Sequence, residues 1–126
     1  MKTLCAVLMA SVLAGCGPTK LHFDEQGVAH GTGVREYRYE SGELMLEDFY
    51  DDGRLERSIW FRLDGSTIRE EYWQDGAGTG LYLRQDGSIR VAMPYVNGIA
   101  HGMAVYYNSD GTISNVVEYV RGTKQP

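Results

Sequence analysis

Apolar and polar residues alternate with a period of two along several stretches of the chain, the pattern of half-buried β-strands. Ile89, Val91, Met93 and Tyr95 fall on one side of an extended segment, with Arg90 and Ala92 opposite. Leu44, Leu46 and Tyr50 follow the same rule, as do Ile113, Val117 and Tyr119. The segment after Gly65 departs from it. Thr67, Arg69 and Glu71 are polar and only Trp73 fits, while Ile68 and Tyr72 are offset by one. That offset predicts a bulge or register change there. Pro94 has no backbone donor and marks a bulge or an interrupted pairing. No helical period persists after Ala14.

Glycines divide these segments at a fixed interval. Gly42, Gly65, Gly87 and Gly111 are separated by 23, 22 and 24 residues, and so are Gly53, Gly76, Gly98 and Gly122. Each member of the second set follows its partner by 11 residues. Aromatic residues keep step with the glycines. Tyr37, Trp60, Tyr82 and Tyr106 lie 5 residues before the first set, and Tyr50, Trp73, Tyr95 and Tyr119 lie 8 after it. Gly27, with Phe23 before it, reads as the second half of a truncated leading unit. Asp52-Gly53, Asp64-Gly65, Asp75-Gly76, Asp86-Gly87, Asn97-Gly98 and Asp110-Gly111 suit type I′ turns, which need positive φ at both central residues.

Strands of ~7–8 residues remain once the turns are removed. The expected fold is all-β: an antiparallel meander of about eight or nine strands in repeated hairpins, forming one curved sheet. The aromatic columns would stack along it, as cross-strand aromatic pairs do.

Composition narrows the class. The 126 residues allow one domain, and 12 basic against 17 acidic residues argue against nucleic-acid binding. The first residues have the character of an export signal: Met1-Lys2, then an uncharged run from Thr3 to Ala14, too short to span a bilayer. Leu13-Ala14-Gly15-Cys16 resembles a bacterial lipobox. The resemblance implies a signal peptide over 1–15, lipidation at Cys16 and a short tether over 16–26. The repeat domain then covers 27–122, with a tail over 123–126. Gly17, rather than Asp, follows the Cys, which implies the outer membrane and a periplasmic location. Cys5 would leave with the signal and Cys16 would be consumed by lipid, so no disulfide is expected. Removal of Lys2 leaves a net charge more acidic than the full chain's −5.

Tyr50-Asp51-Asp52-Gly53-Arg54-Leu55 and Tyr106-Tyr107-Asn108-Ser109-Asp110-Gly111-Thr112-Ile113 resemble MORN-type repeats, closest to the bacterial kind found in YwqK-type antitoxin-repeat proteins. Gly27-Val28-Ala29-His30-Gly31 and Gly98-Ile99-Ala100-His101-Gly102 carry the same resemblance. It spans roughly residues 27–122 and implies a hairpin array serving as a binding scaffold. The Gly53 to Trp60 segment lacks the usual second glycine. YD repeats of polymorphic toxins and choline- or cell-wall-binding repeats share the same hairpin grammar.

Residues able to do chemistry are sparse. His30 and His101 hold matching motif positions, too far apart in an open sheet to share a metal, and His22 lies near the tether. The turn aspartates have no calcium-loop spacing, and the serines form no nucleophile elbow. Glu47-Asp48 and Glu70-Glu71 are adjacent pairs whose members face opposite sides of a strand. Gly76-Ala77-Gly78-Thr79-Gly80 lacks a P-loop lysine and reads as a mobile connection. No catalytic residue, metal site or cofactor is expected. The repeat columns are expected to pack, leaving Tyr39, Phe61, Tyr72 and Tyr107 as candidate binding aromatics. The resulting expectation is a non-catalytic, lipid-anchored protein-binding module, antitoxin- or immunity-like. A glycan- or peptidoglycan-binding module and a structural envelope protein are the alternatives.

Overall fold

A computed structural model describes residues 19–126 of the chain. The expected signal peptide, Cys16 and the start of the tether lie outside the described residues. The strands, in chain order, are β1 (His22–Phe23), β2 (Ala29–His30), β3 (Gly33–Arg38), β4 (Leu44–Asp51), β5 (Arg54–Phe61), β6 (Thr67–Tyr72), β7 (Gly78–Leu83), β8 (Ile89–Val96), β9 (Ile99–Ala100), β10 (Gly102–Tyr107), β11 (Ile113–Val120) and β12 (Thr123–Lys124). Eight are six or eight residues long and four are two-residue strands. The strands pair antiparallel with neighbours in sequence, except that β10 also pairs with β8 past the short β9, and the described residues contain no helix. The fold is therefore the hairpin meander that the glycine spacing implies. It does not close into a barrel.

The two glycine sets make different turns. Asp52-Gly53, Asp75-Gly76, Asn97-Gly98 and Arg121-Gly122 have positive φ at both residues, as type I′ turns require. At Gly42, Gly65, Gly87 and Gly111 only the glycine has positive φ. Its N–H donates to the carbonyl three residues back, Tyr39, Arg62, Arg84 or Asn108, at 2.9–3.0 Å. These are three-residue loops: a type I turn completed by a left-handed glycine. The expectation of type I′ geometry at Asp64-Gly65, Asp86-Gly87 and Asp110-Gly111 is thus corrected. Among the Asp-Gly pairs, the residue after the glycine marks the difference. In each of these three turns the Asp carboxylate accepts the backbone N–H of Ser66, Ser88 or Thr112 at 2.9 Å and its hydroxyl at 2.6 Å. This Asx-type closure favours a three-residue loop.

The bulge expected after Gly65 is present: Trp60 pairs with Arg69 and Phe61 with Thr67, leaving Ile68 extra. The same bulge recurs in the other units, at Met45, Arg90 and Ser114, beside Tyr37, Tyr82 and Tyr106. It is a property of the repeat, adding twist where each strand enters its three-residue loop. At Pro94 pairing is interrupted on one side. His101 N–H reaches the Pro94 carbonyl at 3.0 Å, and the partner chain breaks there into β9 and β10.

The single curved sheet is replaced by two. β3-β4-β5-β6 form one and β7-β8-β10-β11-β12 the other, with β9 on β8 and β1-β2 as a separate hairpin. Among the described residues the one backbone bridge at the junction is Gln74–Ala77, and the Thr79 N–H also donates to Glu71 Oε2 at 3.3 Å. The type I′ turn at Asp75-Gly76 is followed by Ala77 alone before Gly78, whereas Gly98 is followed by a paired β9. β6 does not zip with β7 because its continuation stays on β5, where the Trp73 backbone N–H donates to the Glu56 carbonyl at 2.9 Å.

The two ends also differ from the expected boundaries. His22–Phe23 pair with Ala29–His30, and Lys20 bridges Thr32, so the folded region begins before residue 27. Thr123–Lys124 complete the last hairpin rather than forming a tail.

Candidate functional site

A cleft of about 980 Å³ lies between the two sheets. Register explains its walls, because residues paired across an antiparallel ladder share a face. In the first sheet Tyr37 pairs with Leu46, Leu46 with Trp60 and Asp48 with Ser58. In the second, Tyr82 pairs with Val91 and Tyr95 with Gly78. Tyr37, Trp60, Trp73, Tyr82 and Tyr95 all line the cleft. Five of the eight repeat aromatics therefore form its wall.

The turns hold the sheets at this angle. Tyr39 is 2% exposed and its hydroxyl donates to the Phe61 carbonyl at 2.6 Å. Glu40 N–H donates to Gln85 Oε1 at 2.7 Å, tying the loop at Gly42 to the loop at Gly87. At the opposite end Gly98 N–H donates to the Gly76 carbonyl at 2.9 Å. A Cβ on Gly76 would lie 2.5 Å from the Gly98 nitrogen, so the two turns can meet only without a side chain.

Trp73 joins the sheets. Its Nε1–H donates to Ser58 Oγ at 2.9 Å, and its ring lies over Gly78, where a Cβ would be 2.6 Å from the ring. The ring centroid is 5.9 Å from that of Tyr95, and Tyr95 in turn lies over Gly80. Elsewhere the second-column aromatic pairs with a glycine on its own hairpin, as Tyr50 with Gly33 and Tyr119 with Gly102. In the second unit Glu56 accepts the Trp73 N–H, so the ring crosses to the next strand instead. The glycine-rich segment expected to be a mobile connection is thus corrected. Gly78 and Gly80 belong to β7 and form the floor under two rings.

A polar row crosses this aromatic wall. Ser58 Oγ, accepting from Trp73, donates to Asp48 Oδ1 at 2.5 Å. Ser58 is paired on its other side with Glu71, which holds Arg69 at 2.7 Å. Burial pushes the Asp48 carboxyl above its ordinary pKa, opposed by the Ser58 hydrogen bond and by Arg35. The Tyr50 phenol is pushed up to about 12, chiefly by burial. Burial and the hydrogen bond shared with Tyr82 also raise that of Tyr95. Trp60, 3% exposed, is the one buried side chain whose polar atom, Nε1, has no partner among the described residues. A buried N–H without an acceptor costs about 1–3 kcal/mol.

The arrangement can hold a ligand by stacking and hydrogen bonding. The Ser58 hydroxyl lies beside the buried carboxylate, and its proton is directed to Asp48. His30 stands against Asp24 at 2.9 Å and stacks on His22. His101 Nδ1 accepts the Arg121 N–H at 3.1 Å. The two are not equivalents: Thr32 Oγ1 does for Asp52 what His101 does for Arg121. The loop at Asp24–Val28 is longer than the Asn97-Gly98 turn, which displaces the motif.

The candidate binding aromatics lie elsewhere. Tyr39 is core. Tyr72 is 67% exposed, on the face away from Ser58 beside Arg57 and Glu70. Phe61 and Tyr107 are half-buried, and their carbonyls accept from Tyr39 and Arg84. None of the four lines the cleft. Asp48 and Ser58 were missed as site residues. Their signal was a polar residue at an inward position, Leu46-x-Asp48-x-Tyr50 and Ser58-x-Trp60.

Tyr106 and Tyr119 hydrogen-bond to each other at 2.8 Å, away from the cleft. Comparison of the chain with protein-family models, with curated proteins and with solved structures finds no match.

Proposed function

We propose that the protein is a non-catalytic binding module of the bacterial cell envelope, tethered through lipidated Cys16 and facing the periplasm, with its ligand held in the cleft between the sheets. The observation that carries this reading is the convergence of five repeat aromatics on one cleft of about 980 Å³. That volume is at the upper end of the ~300–1,000 Å³ typical of ligand sites, and such sites combine apolar walls with a few placed polar groups. The uncharged run from Thr3 to Ala14 ending at Gly15-Cys16 supports the tether.

The test is a photo-crosslinking residue placed in cells at Tyr82, 43% exposed at the cleft, or at Tyr72 on the outer face. An adduct from position 82 and none from 72 is the expected result. Absence of any adduct at 82 would remove the cleft from consideration. Cys16→Ser should release the protein from the membrane fraction, and retention there would exclude the tether.

A protein partner is the second reading, favoured by a different surface. Val96, Ile99, Met103 and Val116 are exposed. By register they share the face of the second sheet turned away from Tyr82 and Val91. Contiguous exposed apolar residues of this kind mark interaction surfaces. Met103→Asp should abolish co-isolation of such a partner while leaving the crosslink at 82 intact.

A further inference from the structure

The chemistry of the cleft wall restricts what it can hold. Its charges nearly cancel: Asp48, Glu56 and Asp75 stand against Arg54 and Arg90, and Arg54 Nε lies 3.5 Å from Glu56 Oε2. Asp48 is already engaged by Ser58, and burial disfavours its charge. A cation therefore finds ring faces but, for a buried carboxylate, only Asp48 already held by Ser58, and an anion finds Arg54 paired with Glu56 and three carboxylates against two guanidiniums along the wall. A wholly apolar ligand would leave the polar row through Asp48 and Ser58 unmatched. The Trp60 indole N–H, buried on the cleft wall, adds an independent requirement for an acceptor oxygen.

A sugar ring meets these conditions together. Its C–H face is apolar and stacks on aromatic rings, its edge carries oxygens that accept and donate hydrogen bonds, and it is uncharged. We propose that the cleft binds a neutral oligosaccharide, with Tyr82 and Tyr95 stacking on the sugar and the Trp60 N–H donating to one of its oxygens after a small shift of the ring. This rests on the reading that the cleft is the binding site. Tyr82 and Tyr95 are already joined through their hydroxyls on the cleft wall.

The chain contains two tryptophans, so a nitrogen-15 spectrum of the intact lipoprotein in detergent micelles shows two indole N–H resonances, from Trp60 and Trp73. Maltotriose, the N-acetylglucosamine trimer and choline chloride are titrated separately, and purified peptidoglycan sacculi are used in a pelleting assay. The expected result is a saturable shift of the Trp60 resonance with at least one trisaccharide, weakened roughly tenfold by Tyr82→Ala and unchanged by Tyr72→Ala. Pelleting with sacculi in addition identifies the wall polymer as the source of the sugar, and its absence identifies a free oligosaccharide. A shift with choline alone would overturn the saccharide in favour of a cation. No shift with either trisaccharide and no pelleting, alongside a positive crosslink at 82, would overturn the saccharide and leave the cleft standing. If the crosslink also fails, both fall.

Discussion

Gly78 and Trp73 illustrate how single side chains set the geometry of the cleft. An alanine at 78 would place its methyl carbon 2.6 Å from the Trp73 ring, so the ring must move or β7 must. Gly78→Ala is expected to destabilise the protein by about 1–3 kcal/mol, read from the urea midpoint. Arg121 is the opposite case. It adopts a φ of 51° where Asp52, Asp75 and Asn97 stand in the other type I′ turns. Arg121→Asn should raise stability by up to about 1 kcal/mol, because Asn tolerates this conformation better than other side chains with a Cβ. No change, or a loss, would show that the Arg121 side chain contributes something the turn geometry does not reveal.

The acidic residues respond to pH in two directions. Hydrogen bonds from Ser66, Ser88 and Thr112 hold Asp64, Asp86 and Asp110 below the usual carboxylate range. The unfolded chain binds these protons more tightly, so their contribution is full above ~pH 4 and fades as pH falls through the lower folded values. Asp48 is raised by burial, so its contribution is present below ~pH 4 and is lost as pH rises through the folded value. Asp48→Asn keeps an acceptor for Ser58 and should remove the second effect while leaving the first. Thermal midpoints from pH 3 to 7 would show this as a flatter profile above pH 4. An unaltered profile would mean that Asp48 keeps its ordinary acidity.

Among elements, the junction between β6 and β7 sets this chain apart from a uniform hairpin array. The backbone ladder is interrupted, and Trp73 carries the connection through Ser58 on one sheet and Gly78 on the other. Trp73→Phe keeps most of the packing but removes the indole donor, leaving Ser58 to Asp48 alone. A loss of about 1 kcal/mol is expected, together with a changed Tyr95 environment in near-ultraviolet circular dichroism. The outer edge of β11 shows a related economy: the Asn115 side chain accepts the Val116 N–H at 2.9 Å. That covers a group an open edge would offer to another strand.

Across the molecule, stability is distributed unevenly. Ser58 and Trp60 in the first sheet, with Val91, Ala104 and Val117 in the second, are five of the buried positions away from the turns. The hairpin β1-β2 and the short strand β12 sit at the ends with few partners. Hydrogen exchange should therefore be slowest at the five central positions and fastest in β1, β2 and β12. Equal protection along the chain would indicate one cooperative unit without frayed ends.

Much of this architecture was legible from residue spacing. Turns and alternation are local: Gly53 needs its φ, and Val91 needs its face, whatever lies far away in the chain. The aromatic positions and the antiparallel order follow from the same local rules. The two classes of Asp-Gly turn were also present, in Ser66, Ser88 and Thr112, but the dipeptide alone does not separate them. What local pattern could not supply was the relation between units. Tyr37 and Tyr106 hold the same repeat position, yet one lines the cleft and the other pairs with Tyr119. Tyr39 reads as a surface residue until the loops at Gly42 and Gly87 close over it. The sequence by itself determined the strands, their order and where the chain turns, because these depend on backbone dihedrals and a two-residue period. Only the tertiary structure decided that the meander divides at Gly76 and that its aromatics enclose a cleft. Those outcomes depend on how far Trp73 reaches and on what its ring can lie against.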